Sequence, residues 1–213
     1  MSKLSWGNFP YHPQTTTQIN WISELEDSYQ KLNKSFLPFG CGRSYGDSCL
    51  ASSDHLLALS SLNKFISMDW DNGVLEAEAG VTLANIINAC LLKGWFLPVT
   101  PGTKYVTLGG AIANDVHGKN HHTAGTFGCH VLSFVLYRED KGFVECSLGE
   151  NSDLYHATIG GLGLTGVIVK VKVKLKKVSS SNMLQKCIKF ESLQEFFDLS
   201  AAYDDKYEYT VSW

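Results

Sequence analysis

Apolar side chains recur at every second position from Val167 to Leu175, and lysines fill the positions between them from Lys170 onward. Valine or leucine occupies every odd position from 167 to 175, and the even positions from 170 onward are lysine, namely Lys170, Lys172, Lys174 and Lys176. Because successive side chains of a strand point to opposite faces, this pattern predicts a long antiparallel-type strand with one face in the core. The fold must therefore contain a sheet into which this strand pairs.

The lysine row allows two interpretations. A row of cations could bind nucleic acid or phospholipid, but alternation also places whatever is polar on the solvent face, where lysine discourages edge pairing. Lys and Arg number 18 against 21 for Asp and Glu, a net charge of -3, so no overall field attracts nucleic acid. We favour the solvated face and expect no nucleic-acid partner.

Helical and strand-like periods alternate along the rest of the chain without an internal repeat, which predicts an α+β fold. The clearest helix is expected from Leu83 to Leu91, with Thr82 as its N-cap and Gly94 as its left-handed stop. Other helices are expected over 17–32, 107–115, 153–158 and 193–199, and strands over 35–39, 56–59, 65–70, 74–79, 131–138, 143–146, 184–190 and 207–213.

Composition and cysteine usage indicate the cellular compartment of the protein. No stretch approaches the roughly 18 consecutive apolar residues of a membrane-spanning helix, and the start lacks the order of a secretory signal. The six cysteines contain no CxxC pair, which favours reduced thiols over a redox pair of Cys41 and Cys49. We therefore expect a cytoplasmic protein without a transmembrane segment, and peripheral membrane contact stays open.

A glycine-rich loop follows the apolar run at 35–39. It reads Gly-Cys-Gly-Arg-Ser-Tyr-Gly over residues 40–46, and it has neither the spacing of a dinucleotide fingerprint nor the GKS or GKT end of a P-loop. Its successive N–H groups can curl around an anion, with Arg43 and the Ser44 hydroxyl as extra donors. A diphosphate fits such a loop, and a plain tight turn explains the glycines at least as well.

A second stretch rich in small residues covers positions 101–122. Thr107 is expected to cap a short helix whose N-terminal N–H groups and dipole suit phosphate. Gly109 and Gly110 leave room beside it, so a side chain added at Gly109 is expected to fill a cofactor channel. Together the two loops can hold one large dinucleotide.

Four histidines, His117, His121, His122 and His130, lie within fourteen residues. Gly118 interrupts helical spacing and no Cys or carboxylate completes a zinc pattern, so we predict no metal site. An imidazole beside a ring system can tune a cofactor, which makes His117 the functional candidate; a hydrogen-bonded structural histidine is the alternative.

Three motifs in this order resemble the FAD-linked oxidases of the vanillyl-alcohol oxidase type, and most of all the sugar and sugar-lactone oxidases among them. The motifs are GRSYGD at 42–47, PGTKYVTLGGAIANDVHGKNHHTAGTFGCHV at 101–131 and GGLGLTGVI at 160–168. The resemblance implies a PCMH-type FAD-binding domain over 1–180, of two small α+β lobes at about 1–100 and 101–180. Residues 181–213 would begin an incomplete, truncated substrate domain.

The resemblance also assigns cofactor contacts residue by residue. It implies that the first loop wraps the diphosphate and reaches the flavin, and that His117 lies on the flavin side as the candidate catalytic residue. The full set of implied contacts is Pro38, Phe39, Gly40, Cys41, Gly42, Arg43, Ser44, Tyr45, Gly46, Asp47, Ser48, Gly102, Thr107, Leu108, Gly109, Gly110, Asn114, Asp115, Val116, His117 and Ile168.

The chemistry that the resemblance implies is hydride transfer to FAD from a secondary alcohol of a sugar, sugar phospholipid or aldonolactone. Many members attach the flavin through a histidine in the first loop, whereas this chain has Arg43, Ser44 and Tyr45 there, which implies noncovalent FAD. Turnover would need a substrate domain from missing sequence or a second polypeptide. The alternative is a noncatalytic flavin-binding remnant or a module that docks a partner through a strand at 207–213.

Overall fold

Paired strands and short helices alternate along residues 5–32 and 35–213, the part of the chain that the computed structural model describes. The strands are β1 (Thr15–Gln18), β2 (Leu37–Phe39), β3 (His55–Ala58), β4 (Phe65–Asp69), β5 (Val74–Glu78), β6 (Trp95–Phe96), β7 (Val131–Arg138), β8 (Gly142–Ser147), β9 (Val167–Lys174) and β10 (Lys176–Lys177). The α-helices are α1 (Leu25–Leu32), α2 (Leu83–Cys90), α3 (Leu108–Ala113), α4 (His121–Ala124), α5 (Ser152–Thr158) and α6 (Leu193–Tyr203). None of these helices has both the length and the apolar character that crossing a membrane requires.

The main sheet has five strands in the order β4-β5-β9-β7-β8, and all its neighbouring pairs are antiparallel. The strand predicted from the valine and lysine alternation is therefore confirmed, and it is the central strand. Lys172 Nζ lies 3.7 Å from a Glu76 carboxylate oxygen on β5, and Lys174 donates a hydrogen bond to the Asn72 carbonyl. Part of the lysine row is thus engaged within the sheet region.

A β-bulge makes β9 serve two hydrophobic cores. Val135 of β7 pairs with Lys170 whereas the next residue, Leu136, pairs with Ile168, so Val169 is an extra residue in β9. Ile168, Val171 and Val173 consequently pack in the larger core with α2 and α3, while Val167 and Val169 pack in the smaller core with α1. Strict alternation predicted that all odd positions share one face, but the bulge divides them between two faces.

A separate three-stranded parallel sheet has the order β1-β3-β2. It explains why the predicted helix over 17–32 is wrong in its first half: residues 15–18 pair with β3, and the α-helix starts only at Leu25. Backbone pairing between distant segments overrides the local apolar spacing here. The short strand β2 ends at Phe39, where the glycine-rich first loop begins.

The helix α2 forms as predicted. Thr82 Oγ1 accepts a hydrogen bond from Asn85 N at 3.2 Å, four apolar side chains of α2 are buried, and Gly94 adopts a left-handed φ of 81°. The N-cap, the apolar stripe and the terminal glycine all indicate the same helix, and tertiary packing is consistent with it.

The predicted strands at 184–190 and 207–213 are wrong, because neither segment is in a strand. A strand needs a partner, and the described residues supply only single contacts, such as the 3.1 Å hydrogen bond from Thr210 N to Lys119 O. The helix expected over 193–199 exists and extends to Tyr203 as α6.

The sheets do not divide at residue 100, where the resemblance places the boundary between lobes. β4 and β5 precede that position, yet they belong to the same sheet as β7, β8 and β9. The architecture is the expected α+β fold, and the main sheet draws strands from both sides of the boundary.

Two glycines in hairpin turns provide a stability test. Both have left-handed backbone, with φ of 63° at Gly73 and 68° at Gly142. A Cβ on Gly73 would lie 2.1 Å from the Trp95 ring, whereas a Cβ on Gly142 meets nothing within 4 Å. We expect Gly142→Ala to lower the free energy of unfolding by about 1 kcal/mol, and Gly73→Ala to lower it by roughly 1–3 kcal/mol more. Equal losses in urea denaturation would contradict this packing.

Candidate functional site

The three sequence motifs converge on one cavity of about 540 Å³. Its walls are the first loop at 38–48, the turn at 100–103, the helix α3 with the loop that follows it, and the glycine-rich stretch before β9. The volume lies within the range of about 300–1,000 Å³ that is typical of cofactor and small-molecule sites.

The first loop lies directly against the N-cap of α3. A Cβ on Gly40 would be 2.4 Å from Thr107 Oγ1, so glycine is needed there for the two segments to approach. Gly42 and Gly46 have φ of 61° and 59°, the left-handed region that glycine adopts without strain. Glycine at these three positions is therefore explained by backbone geometry.

The first loop presents unpaired backbone donors. Within the described residues, the N–H groups of Gly42, Arg43 and Ser44 donate to no carbonyl or side chain. Consecutive free N–H groups beside a left-handed glycine form the kind of concavity that binds anions. The guanidinium of Arg43 also lines the cavity.

The N-terminal amides of α3 are used within the chain. Leu108 N donates to Val81 O at 2.7 Å, Gly109 N donates to Ala79 O at 2.8 Å, and Gly110 N donates to the Thr107 hydroxyl. The expectation that these amides bind phosphate is therefore wrong, because their protons already have acceptors. The helix contributes shape to the cavity instead.

The expected role of Gly109 also changes. A Cβ at this position would lie 3.0 Å from Ala79 Cβ and 3.3 Å from Ala79 O. A valine at position 109 would therefore push α3 away from the end of β5 and disturb the core. It would not project into the cavity as the sequence suggested.

A side-chain hydrogen bond joins the two halves of the cavity wall. Ser44 Oγ donates to Asn114 Oδ1 at 3.3 Å, and Asn114 Nδ2 donates to Gly110 O at 2.9 Å. The second bond fixes the orientation of the carboxamide, so that its oxygen faces Ser44. Asn114 thus holds the first loop against the C-terminal end of α3, across 70 positions of sequence.

The lining of the cavity is cationic. Arg43 and Lys119 contribute cations to it, and no aspartate or glutamate of the described residues lines it. The nearby Asp115 carboxylate is turned away, because its Oδ1 accepts a hydrogen bond from Gly128 N at 2.8 Å. The net charge of the chain is -3, yet this cavity is lined by cations and by no carboxylate from the described part of the chain. The local charge therefore favours an anionic ligand.

Most residues named from the sequence meet in this cavity. Those that line it are Pro38, Phe39, Gly40, Cys41, Gly42, Arg43, Ser44, Tyr45, Ser48, Gly102, Thr107, Gly109, Gly110, Asn114, Val116, His117 and Ile168. Four named residues lie outside it: Leu108 is fully buried in the core, Asp115 bonds Gly128, and Gly46 and Asp47 are exposed on the loop. Contact of each residue with a cofactor stays a prediction.

Sequence reasoning missed several lining residues. Leu162, Gly163 and Gly166 come from the GGLGLTG motif, whose glycine content was the available signal. Trp6 lies far from any motif, so no pattern indicated it.

The cysteines of the described residues form no disulfide. Cys41 and Cys49 both line the cavity. Burial raises the pKa of the Cys49 thiol above its ordinary value, so this thiol stays protonated at neutral pH and is a weak nucleophile. No cluster of three His, Cys, Asp or Glu in the described ranges could hold a metal ion.

Comparison with known proteins identifies the class. Residues 13–147 match the family described as FAD binding domain, and the chain belongs to this family. It is an FAD-binding domain of the PCMH type. The cavity fits this cofactor, because free backbone donors, Arg43 and a lining without carboxylates suit a diphosphate.

The relatives are oxidoreductases. Decaprenylphosphoryl-beta-D-ribose oxidase of Mycolicibacterium smegmatis is 36% identical over 82% of this chain and 38% of its own length. L-gulonolactone oxidase of Scyliorhinus torazame is 28% identical over 77% of this chain and 36% of its own. Delta(24)-sterol reductase of Homo sapiens is 27% identical over 57% of this chain and 23% of its own length. The chain thus spans well under half the length of each.

A glycine facing the open cavity allows a direct test of the FAD site. A Cβ on Gly102 meets nothing within 4 Å, and its backbone is outside the left-handed region. Gly102→Leu should therefore weaken FAD binding about tenfold or more by filling the cavity, with an unchanged melting temperature of the FAD-free protein. Gly149→Leu is the matched control, since it also meets open space but lies outside the cavity. Equal FAD titrations for both variants would disprove this placement.

The Ser44–Asn114 bond predicts energetic coupling. In a double-mutant cycle of Ser44→Ala and Asn114→Ala, we expect their losses in FAD-binding free energy to be non-additive by about 0.5–1.5 kcal/mol. Ser48→Ala is the control, because its hydroxyl bonds Tyr45 O instead although it lines the same cavity. Its cycle with Asn114→Ala should be additive in calorimetric titrations. An additive Ser44 cycle would contradict the proposed link.

Proposed function

We propose that the chain is the FAD-binding portion of an oxidoreductase that oxidises a secondary alcohol of a sugar, sugar phospholipid or aldonolactone. The observation that carries the proposal is the meeting of three distant motifs around one cationic cavity. Two relatives are named as oxidases of a ribose derivative and of a sugar lactone, which supports the alcohol as substrate.

The first loop is assigned to the diphosphate of FAD. The N–H groups of Gly42, Arg43 and Ser44 are free to donate, and the guanidinium of Arg43 adds a charge-assisted donor. Thr107 supports the loop from behind, because its side chain lies where a Cβ on Gly40 would be. These contacts hold the cofactor without a covalent bond.

Noncovalent attachment follows from the side chains of the first loop. Residues 38–48 contain no histidine, and among the described residues His117 is the histidine that lines the cavity. It comes from the loop after α3, whereas Arg43 comes from the first loop. We assign it to the flavin side of the site.

When bound, FAD supplies an acceptor for the hydride that leaves the alcohol carbon. The chain itself contributes orientation and charge. The His117 ring is exposed and its centroid lies 6.0 Å from that of His121, so its nitrogen atoms are accessible from the cavity and from solvent. Lys119, two positions further on, places a cation in the same part of the lining.

Turnover is proposed to need a substrate domain beyond residues 1–213. The chain spans 38% of the length of the ribose-derivative oxidase that it matches. In addition, the segment 183–213 exposes large apolar side chains, including Leu184 at 95% and Trp213 at 97%. We assign these side chains to contact with further polypeptide, in the same chain or in a second one.

The same exposed segment favours a second candidate function. A flavin-binding module without activity of its own would also present apolar side chains to a partner protein. The two functions differ in whether an alcohol can reduce the bound flavin. Both require FAD in the cavity.

The experiment uses the purified chain loaded with FAD. We expect stoichiometric yellow flavin that acid or heat releases, because attachment is noncovalent. Under anaerobic conditions, an aldonolactone or a ribose phosphodiester should leave the visible flavin band of the chain alone unchanged. It should bleach the band and yield the ketone product once the chain is supplied with the polypeptide that provides the substrate domain. A matched sugar derivative whose reactive hydroxyl is replaced by hydrogen should leave the band unchanged.

Each outcome has a distinct meaning. Colourless protein that does not take up added FAD would contradict the cofactor assignment for this chain. Bound flavin that none of these alcohols bleaches even when the substrate domain is supplied would count against the enzyme and support the binding module. Flavin that stays attached after acid denaturation would overturn noncovalent attachment.

A further inference from the structure

Trp6 lines the cofactor cavity although it lies outside every motif and before residue 13, where the family match begins. Its side chain is 58% exposed, and Tyr45 beside it is 81% exposed. Large aromatic rings that remain this exposed at the wall of a cavity contribute little to the core. They need a different physical explanation.

The main-chain position of Trp6 is fixed by the first loop. Trp6 N donates to Ser44 O at 3.4 Å, next to Tyr45. Further along, the Gln14 side chain donates to Ala51 O at 3.2 Å and accepts from Ala51 N at 3.0 Å. The segment 6–14 is therefore held at Trp6 by the first loop and at Gln14 by Ala51, three residues after that loop.

The two rings are arranged with an open face. Their centroids are 5.7 Å apart and their planes are at 88°, so the edge of one ring meets the face of the other. The ring that presents its edge keeps both of its own faces clear of its neighbour. A planar group entering the cavity can stack on such a face.

We propose that Trp6, with Tyr45, forms an aromatic platform on which one planar ring of bound FAD stacks. The ring is the adenine or the isoalloxazine, which share the flat π-system that the platform recognises. The inference rests on FAD binding and not on alcohol oxidation. It extends the cofactor site to a residue that the family match does not include.

The test compares ligand binding by Trp6→Leu, Trp6→Phe and the wild-type chain. Leucine keeps an apolar side chain but removes the ring, so we expect FAD affinity to fall about tenfold or more. Phenylalanine keeps a ring and should restore most of the affinity. Titration of the FAD-free protein by calorimetry measures this directly.

Two smaller ligands identify the ring. ADP contains the adenine and the diphosphate, whereas FMN contains the isoalloxazine and one phosphate. A loss for ADP without a loss for FMN places the adenine on the platform, and the reverse result places the isoalloxazine there. Tyr45→Leu should give the same pattern as Trp6→Leu with a smaller loss, since its ring is the other half of the pair.

The control is Trp21→Leu, because Trp21 is 56% exposed, nearly as much as Trp6, but packs against Lys64 outside the cavity. It should bind all three ligands as the wild type does. Folding of each variant is checked by circular dichroism, and Tyr45→Leu stands in if Trp6→Leu fails to fold. Wild-type affinity of folded Trp6→Leu for all three ligands would overturn the proposal, and equal loss in Trp6→Phe would reduce Trp6 to a structural anchor.

Discussion

The contact between the first loop and the N-cap of α3 is the constraint on which the cofactor site depends. Gly40 has no side chain, and the Thr107 hydroxyl occupies the space that a Cβ would fill. Two segments that lie 67 positions apart in the sequence therefore form one wall of the cavity. Without this contact the first loop, which lines the cavity, would not be held at a fixed distance from α3.

The site divides its work between the two segments. The first three amides of α3 donate hydrogen bonds to Val81, Ala79 and the Thr107 cap. The helix is therefore a rigid support. The first loop carries Arg43, and within the described residues its Gly42, Arg43 and Ser44 N–H groups have no acceptor. Anion recognition thus comes from the loop, and its geometry comes from the helix, with Asn114 as the side chain that joins them.

Local patterns in the sequence predicted α2, where cap, spacing and stop residue agree, and β9, where apolar residues alternate with lysine. The predictions for residues 17–18 and 184–190 are wrong, since strand formation depends on a partner that spacing does not reveal. Motif resemblance indicated most of the cavity wall. It could not indicate Trp6, nor that the amides of Leu108 and Gly109 are already paired, because both facts depend on distant segments.

The bulge at Val169 has a consequence for how the protein holds together. One strand supplies Val171 and Val173 to the core under the cofactor site, and Val167 and Val169 to the core beneath α1. Neither hydrophobic core can unfold without removing part of β9 from the other core. The domain should therefore melt as a single cooperative unit, in which damage near α1 reaches the flavin pocket through shared backbone.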